Sequence, residues 1–577
     1  MKSEFSRPWT ARYASGVPHE IEVPDGSLFD LLESAAARHR DRTALEFFGA
    51  ETTYGRLGAD VLRIAEGLRR LGVTAGDRVA LVLPNCPQHI TAFYAVLRLG
   101  AIVVEHNPLY TDRELRHQFE DHGAKVAVVW DKVVPQVQRL PQDLGLEAIV
   151  SVDLTRALPA AKRLALKLPL PAARRARSDL TPSEKLTGPH PIHRWEGLLA
   201  SAPLDQGHPR PASGDTAVIQ YTSGTTGTPK GAVLTHRNLL ANAAQGRAWV
   251  PGLIEGEEVV YAVLPMFHAY GLTLCLTFAM SIGARLVLFP RFDVDLVLQA
   301  VRKSPPTFLP AVPPIYDRLA AAAEERGVDL SSIRFAISGA MNLPPETVTR
   351  WEKATGGYLV EGYGLTETSP VALGNPIGPS RRPGTVGVPF PNTDIRVVDP
   401  DRPDVERPPG EAGELLIRGP QVFSGYWQKP EETDAVLLEG GWFRTGDIVS
   451  VDADSYVRIV DRIKELIITG GFNVAPTEVE DTLRAYGPVT DAAVVGLPRP
   501  GGGEDVVAAV VMADGAQLDE ESLRKRCRDG LAAYKVPRRI FVVDELPRSL
   551  IGKVLRREVR TRLLNSKTTP PTGRQAS

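Results

Sequence analysis

The segment Tyr221 to Gly231 reads YTSGTTGTPKG and follows the apolar run Ala217 to Ile219. Its small residues Thr222, Ser223, Gly224, Thr225, Thr226 and Gly227 leave backbone N–H groups and hydroxyl donors open to a polyanion, and Lys230 adds a mobile positive charge. The chemistry indicated is phosphate binding. A Walker A loop is excluded: counted from Gly224, Pro229 falls where the second glycine is required and Gly231 where the hydroxyl residue is required. A flexible linker would not combine a flanking strand with a Pro-Lys-Gly ending. Lys553 stands in a Gly-Lys turn, but Lys525 to Arg562 holds twelve basic and four acidic residues, so by type alone it is one solvated cation among many. Cys86, Cys275 and Cys527 are odd in number and far apart, which argues against a disulfide framework or structural zinc and for a reducing compartment.

These residues need a scaffold, and 577 residues at roughly 150 per domain allow about four structural units. The formal charge is −2, so no global basic field draws the protein to nucleic acid, and any anion site is local. With 43% hydrophobic and 24% charged residues the chain reads as globular. From Ser27 to about Val152, and again from Asp215 to about Glu367, helical patterns alternate with short apolar runs such as Val79 to Leu83 and Arg334 to Ser338. That rhythm predicts βαβ crossovers and two doubly wound α/β subdomains with largely parallel sheets. A helix is expected to start near His236, shortly after the phosphate loop. Past Pro383 short β runs punctuated by Gly and Pro predict a small antiparallel barrel or sheet, and a compact α+β unit begins near Asp461.

The expected organisation is therefore residues 1–460 as one large domain, 461–564 as a small C-terminal domain and 565–577 as a disordered tail. Residues 155–213 form a Pro-, Ala- and Arg-rich insertion; Leu154 to Ser178 carries seven basic residues and no acidic ones. Two readings stay open for it: a solvated surface insertion, or contact with anionic lipid headgroups. The N-terminus lacks the apolar core of a signal peptide, which points to the cytoplasm, with peripheral contact to the inner membrane face under the second reading. The apolar stretch Val259 to Ala284 is interrupted by Pro265 and Gly271, and its longest histidine-free piece is 16 residues against the roughly 20 a spanning helix needs. It reads as a buried strand, a loop and a core helix.

YTSGTTGTPKG resembles the signature loop of the adenylate-forming superfamily of acyl-CoA synthetases, luciferases and peptide-synthetase adenylation domains. Further motifs follow in that family's order: LPMFHAYGL (Leu264 to Leu272), ISGA (Ile337 to Ala340), EGYGLTET (Glu361 to Thr368), GELLIRGP (Gly413 to Pro420), WFRTGDI (Trp442 to Ile448), DRIKELIITGGFNVAPTEVE (Asp461 to Glu480) and LPRSLIGKVLRRE (Leu546 to Glu558). The resemblance spans about Ser27 to Leu564. It implies a carboxylic acid attacking the α-phosphate of ATP, a joining of two anions that needs cations and donors where charge accumulates.

By that resemblance Thr366 and Glu367 contact phosphate and Mg²⁺, with Thr226 of the loop beside the ion. Tyr363 and the backbone near Gly339 and Ala340 form the adenine pocket, Glu361, Gly362 and Gly364 bind cofactor, Asp447 accepts the ribose hydroxyls, and Arg462 binds nucleotide. Lys553 bridges the acyl carboxylate and α-phosphate. Two half-reactions share one site in this family, the C-terminal domain rotating between them, so Lys464 is expected as the hinge. Gly470 and Gly471 then belong to the loop that replaces Lys553 and lines the coenzyme A channel. His268 is expected to orient the acyl group. Within the superfamily NPLYTDREL (Asn107 to Leu115) and GPQVFSGYW (Gly419 to Trp427) resemble bacterial long-chain fatty acid:CoA ligases. The resemblance implies fatty acid, ATP and coenzyme A as small-molecule substrates with Mg²⁺ as cofactor. Two alternatives stay open: a fatty acyl-AMP ligase loading a carrier protein, and a medium-chain or aryl (4-coumarate-type) CoA ligase. The acyl tunnel is expected between the His268 loop and the strand ending at Ser338, lined by Gly271, Leu272, Val312, Pro313 and Ile315.

Overall fold

A computed structural model describes residues 7–222, 229–469, 472–499, 504–549 and 552–566. Ser223, Gly224, Thr225, Thr226, Gly227, Gly470 and Gly471, all assigned to the site from sequence, lie outside the described residues, as does the tail from residue 567. Contacts divide the chain into two compact units: Met1–Ile395 with Ile417–Phe443, and Arg396–Leu416 with Arg444–Ser577.

The first unit holds two sheets. One runs in the order Gly425–Tyr426, Lys230–Thr235, Thr216–Thr222, Ile102–Glu105, Arg78–Val82, Val126–Trp130, Ala148–Val152, Ile192–Arg194. It is parallel from Thr216–Thr222 onward and antiparallel at the Lys230–Thr235 edge. Its inner strands are near-continuous apolar runs, as a sheet covered on both faces requires: Val79, Ala80, Leu81 and Val103 are fully buried. The second sheet is ordered Val388–Pro389, Val371–Gly374, Tyr358–Gly364, Phe335–Ser338, Phe308–Ala311, Val259–Ala262, Arg285–Leu288, Thr43–Phe47, Ala50–Thr53.

The two α/β subdomains are present, but their strands are exchanged along the chain. Thr43–Phe47 pairs with Arg285–Leu288 of the second sheet, while Thr216–Thr222 pairs with Ile102–Glu105 of the first. Periodicity shows that a strand exists, not which neighbour it finds. In each sheet one strand has its successors on opposite sides: Arg78–Val82 between Ile102–Glu105 and Val126–Trp130, and Val259–Ala262 between Arg285–Leu288 and Phe308–Ala311. Such switch points leave a crevice beyond the carboxyl ends of the strands, where ligands bind in open α/β sheets.

The apolar stretch after Val259 resolves as expected, with one refinement: Leu272–Thr277 is a π-helical segment inside the core helix. The helix His236–Trp249 starts where predicted, its N-terminus closed by a capping box between Thr235 and Asn238. The insertion is only partly surface. Ala160–Ala165 and Pro171–Leu180 are exposed helices, but Ile192–Arg194 extends the first sheet and Trp195 and Leu198 are buried.

In the second unit the Gly- and Pro-punctuated runs build a small antiparallel sheet that includes Asp394–Asp399, Arg402–Glu406, Gly413–Arg418, Trp442–Val451 and Val457–Arg462. The C-terminal part packs the helices Pro476–Arg484, Glu520–Gly530 and Arg556–Ser566 with a three-stranded sheet of Val489–Pro498, Glu504–Met512 and Arg539–Val542. Val494, Ala508, Val510, Leu483 and Leu523 are fully buried in its core. No helix among the described residues is long and apolar enough to cross a membrane.

Candidate active site

The phosphate-loop motif begins and ends on two antiparallel strands, Thr216–Thr222 and Lys230–Thr235. Thr222 and Lys230 are directly opposite each other, as are Tyr221 and Gly231, so the strands deliver the two ends of residues 223–228 to one place. The strand pair is anchored from outside: the Tyr221 hydroxyl donates to Asp121 Oδ2 at 2.7 Å, and the Trp427 backbone N–H donates to Gly231 O at 2.7 Å. The Lys230 ammonium pairs with Glu432 and stands 4.8 Å from the centroid of the Tyr426 ring.

Tyr426 also connects this strand pair to EGYGLTET. Its hydroxyl donates to Glu367 Oε1 at 2.7 Å, and the Phe423 N–H donates to Glu367 O at 2.9 Å. Glu367 is buried in the single 3₁₀ turn Thr366–Thr368, directly after the strand Tyr358–Gly364. Gly364 is required there, because a Cβ would lie 1.7 Å from the Pro370 carbonyl oxygen. Glu361 and Tyr363 lie on that strand, beside Phe335–Ser338 and the turn at Gly339 and Ala340, where Ala340 takes a left-handed φ of 66°. Glu361 lines an apolar cavity with Trp249, Phe278, Phe308 and Phe390; burial raises its carboxyl to about 8, the Leu343 N–H offsetting this only in part. Leu272, Val312 and Ile315, expected to line the acyl tunnel, are buried and are not among the residues lining this cavity. Gly246, Gly362 and Gly374 also line this cavity, which at about 20 Å³ has room for little more than one water.

His268 caps the short helix Ala269–Gly271, its Nδ1 accepting from the Tyr270 N–H at 3.3 Å. That bond leaves the proton on Nε2, and burial pulls the ring's pKa down to about 4, so the imidazole is neutral.

Within the second unit Asp447 and Arg462 are cross-strand partners, with Arg462 Nε 3.0 Å from Asp447 Oδ1. Lys553 joins them: desolvation, then the Arg462 charge, pull its ammonium below the ordinary value, while Glu465 and Asp447 act the other way. Its turn is held by Ser549, which donates to Lys553 O at 2.8 Å. Lys464 is exposed in the 3₁₀ turn Ile463–Glu465. Residues on both sides of Lys464 are gripped by Arg556, which pairs with Glu465, lies 3.7 Å from Asp461, and binds Glu480 at 2.8 and 2.7 Å.

The same motifs select relatives along the whole chain. The family model described as AMP-binding enzyme matches residues 32–427, and that of the AMP-binding enzyme C-terminal domain matches 478–553. The chain belongs to the AMP-binding enzyme family. This AMP-binding enzyme is 39% identical over 98% of its length to a long-chain-fatty-acid–CoA ligase of Bacillus subtilis, covering 99% of that protein. It is 36% identical to a feruloyl-CoA synthase of Amycolatopsis over 90% of this chain and 96% of that one. Among solved structures, an anthranilate CoA ligase, AuaEII, in complex with anthranoyl-AMP superposes with a TM-score of 0.80 at 26% identity, covering 95% of this chain and 99% of that one.

In this AMP-binding enzyme sequence reasoning missed Tyr426 and Glu432 as partners of Glu367 and Lys230, and Arg556 as the group that holds the residues flanking Lys464. Tyr426 stood inside the motif GPQVFSGYW and Arg556 inside LPRSLIGKVLRRE, but no spacing rule connects either to its partner.

Proposed function

We propose that this protein activates a long-chain fatty acid with ATP, forming acyl-AMP and pyrophosphate, and then transfers the acyl group to coenzyme A. The observation that carries this reading is the full-length likeness to the long-chain ligase of Bacillus subtilis.

The proposed roles follow from chemistry. The loop ending at Lys230 receives the phosphates, and Asp447 accepts the ribose hydroxyls. Lys553 places a positive charge between the acid and the α-phosphate as the new P–O bond forms and pyrophosphate leaves. Neutral His268 offers an N–H from Nε2 to the acyl carboxylate without competing for its proton. Glu367 is a buried oxygen ligand of the hard kind that Mg²⁺ takes, and the ion bound there would neutralise phosphate charge. The proposed domain boundary at residue 461, the hinge at Lys464 and the coenzyme A loop at Gly470 and Gly471 complete the scheme.

The deciding experiment follows pyrophosphate release and coenzyme A consumption with acids of increasing chain length alongside cinnamic acids. Preference for long alkyl acids with coenzyme A consumed supports the reading. Preference for cinnamic acids would favour the aryl alternative suggested by the feruloyl-CoA synthase relative. Pyrophosphate release that needs a carrier protein and ignores coenzyme A would favour the acyl-AMP ligase.

We further propose that the exposed insertion rests on an anionic bilayer. Leu164, Leu168 and Leu170 are 67%, 46% and 55% exposed, and Arg163, Lys167, Arg174, Arg175 and Arg177 surround them in sequence. Apolar side chains among uncompensated bases suit a headgroup interface. Co-sedimentation with phosphatidylglycerol vesicles should exceed that with phosphatidylcholine and fall when the three leucines become serine; equal sedimentation in all cases would defeat the proposal.

A further inference from the structure

The two switch points of the first unit are joined by one side chain. Asn85 lies just beyond Arg78–Val82, the switch strand of the first sheet, and is 2% exposed. It reaches the segment that leaves Val259–Ala262, the switch strand of the second. Its Nδ2 donates to Ala262 O at 3.0 Å and to Leu264 O at 2.7 Å, while its Oδ1 accepts from the Met266 N–H at 2.8 Å. The amide thus uses both donors and its acceptor on three backbone groups of one loop. The next peptide is held by Gln220, also 2% exposed, whose Nε2 donates to Phe267 O at 3.1 Å. Gln220 sits two residues before Thr222, on the strand that feeds the phosphate loop. Beyond Phe267 the loop closes on itself. The His268 N–H donates to Pro265 O at 3.2 Å, and Gly271 approaches so closely that a Cβ would be 2.2 Å from the same oxygen.

Every backbone group held in this way lies within six residues of His268, and neither holding side chain is near it in sequence. We propose that Asn85 and Gln220 are positioning residues that fix His268, and with it the acyl carboxylate, relative to the strand Thr216–Thr222 that leads into the phosphate loop. The physical reason is registration between two binding places. The acid must meet the α-phosphate at attack distance, and misplacement by about an ångström costs on the order of a hundredfold in rate. Gln220 connects the two places through one strand, and Asn85 prevents the loop from sliding along the crevice. This inference rests on the proposed role of His268.

The test uses Gln220→Met, which keeps side-chain volume but loses the donor, and Asn85→Asp, which keeps the acceptor for Met266 but loses both donors. Each should raise KM for the fatty acid by about tenfold, the equivalent of about 1.4 kcal/mol, while KM for ATP stays within about twofold. In a His268→Ala background the effect of Gln220→Met should disappear. Amide exchange at residues 266–268 should quicken in both variants, a readout independent of turnover. Unchanged exchange in both variants overturns the clamp whatever His268 does. An undiminished KM effect in the His268→Ala background, or a parallel rise in KM for ATP, shows that these side chains act on the site generally and overturns the inference. A His268→Ala enzyme with an unaltered KM for the acid removes the underlying reading of His268 instead, and the exchange data then report the clamp separately.

Discussion

Glu361 illustrates how one side chain can record its surroundings in a measurable slope. Burial beside the apolar cavity raises its carboxyl to about 8, against about 4.5 in the unfolded chain. Between those values the folded protein keeps a proton that the unfolded chain has released, so this group's contribution is fully present below pH 4.5 and is lost as pH rises through 8. The slope cannot exceed about 1.4 kcal/mol per pH unit. Glu361→Gln retains the shape and a donor but removes the titration, so its melting temperature should fall less than the wild type's between pH 5.5 and 8.5. Superimposable slopes would mean that the carboxyl is already ionised at the lower pH. Lys553 belongs to the same scale. In the proposed scheme its charge is needed only while acid and α-phosphate combine, and such a stabilising charge is worth about 3 kcal/mol or more. Lys553→Ala should therefore abolish acyl-adenylate formation yet leave thioester formation from supplied acyl-AMP nearly intact, as separate assays of the two half-reactions would reveal. Equal loss of both would remove Lys553 from that role.

At the level of elements, chemistry is assembled by pieces too small to leave a pattern. Gly425–Tyr426 is a two-residue strand, yet it pairs with Lys230–Thr235 and brings the Tyr426 hydroxyl to Glu367. Losing that hydroxyl in Tyr426→Phe should let the carboxylate turn. The Mg²⁺ concentration for half-maximal adenylation is then expected to rise about fivefold, the worth of one hydrogen bond of about 1 kcal/mol, with the rate at saturating Mg²⁺ largely kept. An unchanged Mg²⁺ titration would show that the carboxylate is held by its other contacts. The contrast with the longer elements explains what was legible in the sequence. The buried parallel strands are unbroken apolar runs, and the helix after the phosphate loop begins at His236, where the sequence placed it, so fold class and most elements could be read directly. The exchange of Thr43–Phe47 and Thr216–Thr222 between sheets could not, because an apolar run fixes a face and not a neighbour. The motif residues were likewise placed by resemblance. Their partners Tyr426, Glu432 and Arg556 were not, since those contacts join positions 59 to 202 residues apart in the chain, with no spacing rule behind them.

For the molecule as a whole, the proposed reaction needs two arrangements of the same chain, and the segment around Lys464 suggests how one of them is held. Arg556 pairs with Glu465 and lies near Asp461 on either side of Lys464, while its other bonds go to Glu480 and the Thr477 hydroxyl. Asp461 Oδ2 in turn accepts from the Thr477 N–H at 2.8 Å. A turn of the backbone at Lys464 must therefore release Asp461 from Thr477 and loosen the Arg556 grip, whereas the Arg556 bonds to Glu480 can persist. The pose so clasped is the one in which Lys553 lies within electrostatic range of Asp447 and Arg462, the arrangement proposed for adenylation. Lys464→Pro should lock it. A 3₁₀ turn has φ of about −50 to −70° and proline fixes φ near −65°, so the 3₁₀ turn Ile463–Glu465 suits the ring while other values of φ are closed off. Proline also disfavours the helical region at Ile463, which costs some stability, so the melting temperature should fall. The decisive readout is the ratio of the half-reactions in protein that remains folded. Pyrophosphate and acyl-AMP should form at a substantial fraction of the wild-type rate, while thioester formation from supplied acyl-AMP drops by orders of magnitude, opposite to the Lys553→Ala pattern. A folding defect would depress both half-reactions together, and a variant that melts cooperatively yet forms thioester at the wild-type rate would place the hinge elsewhere.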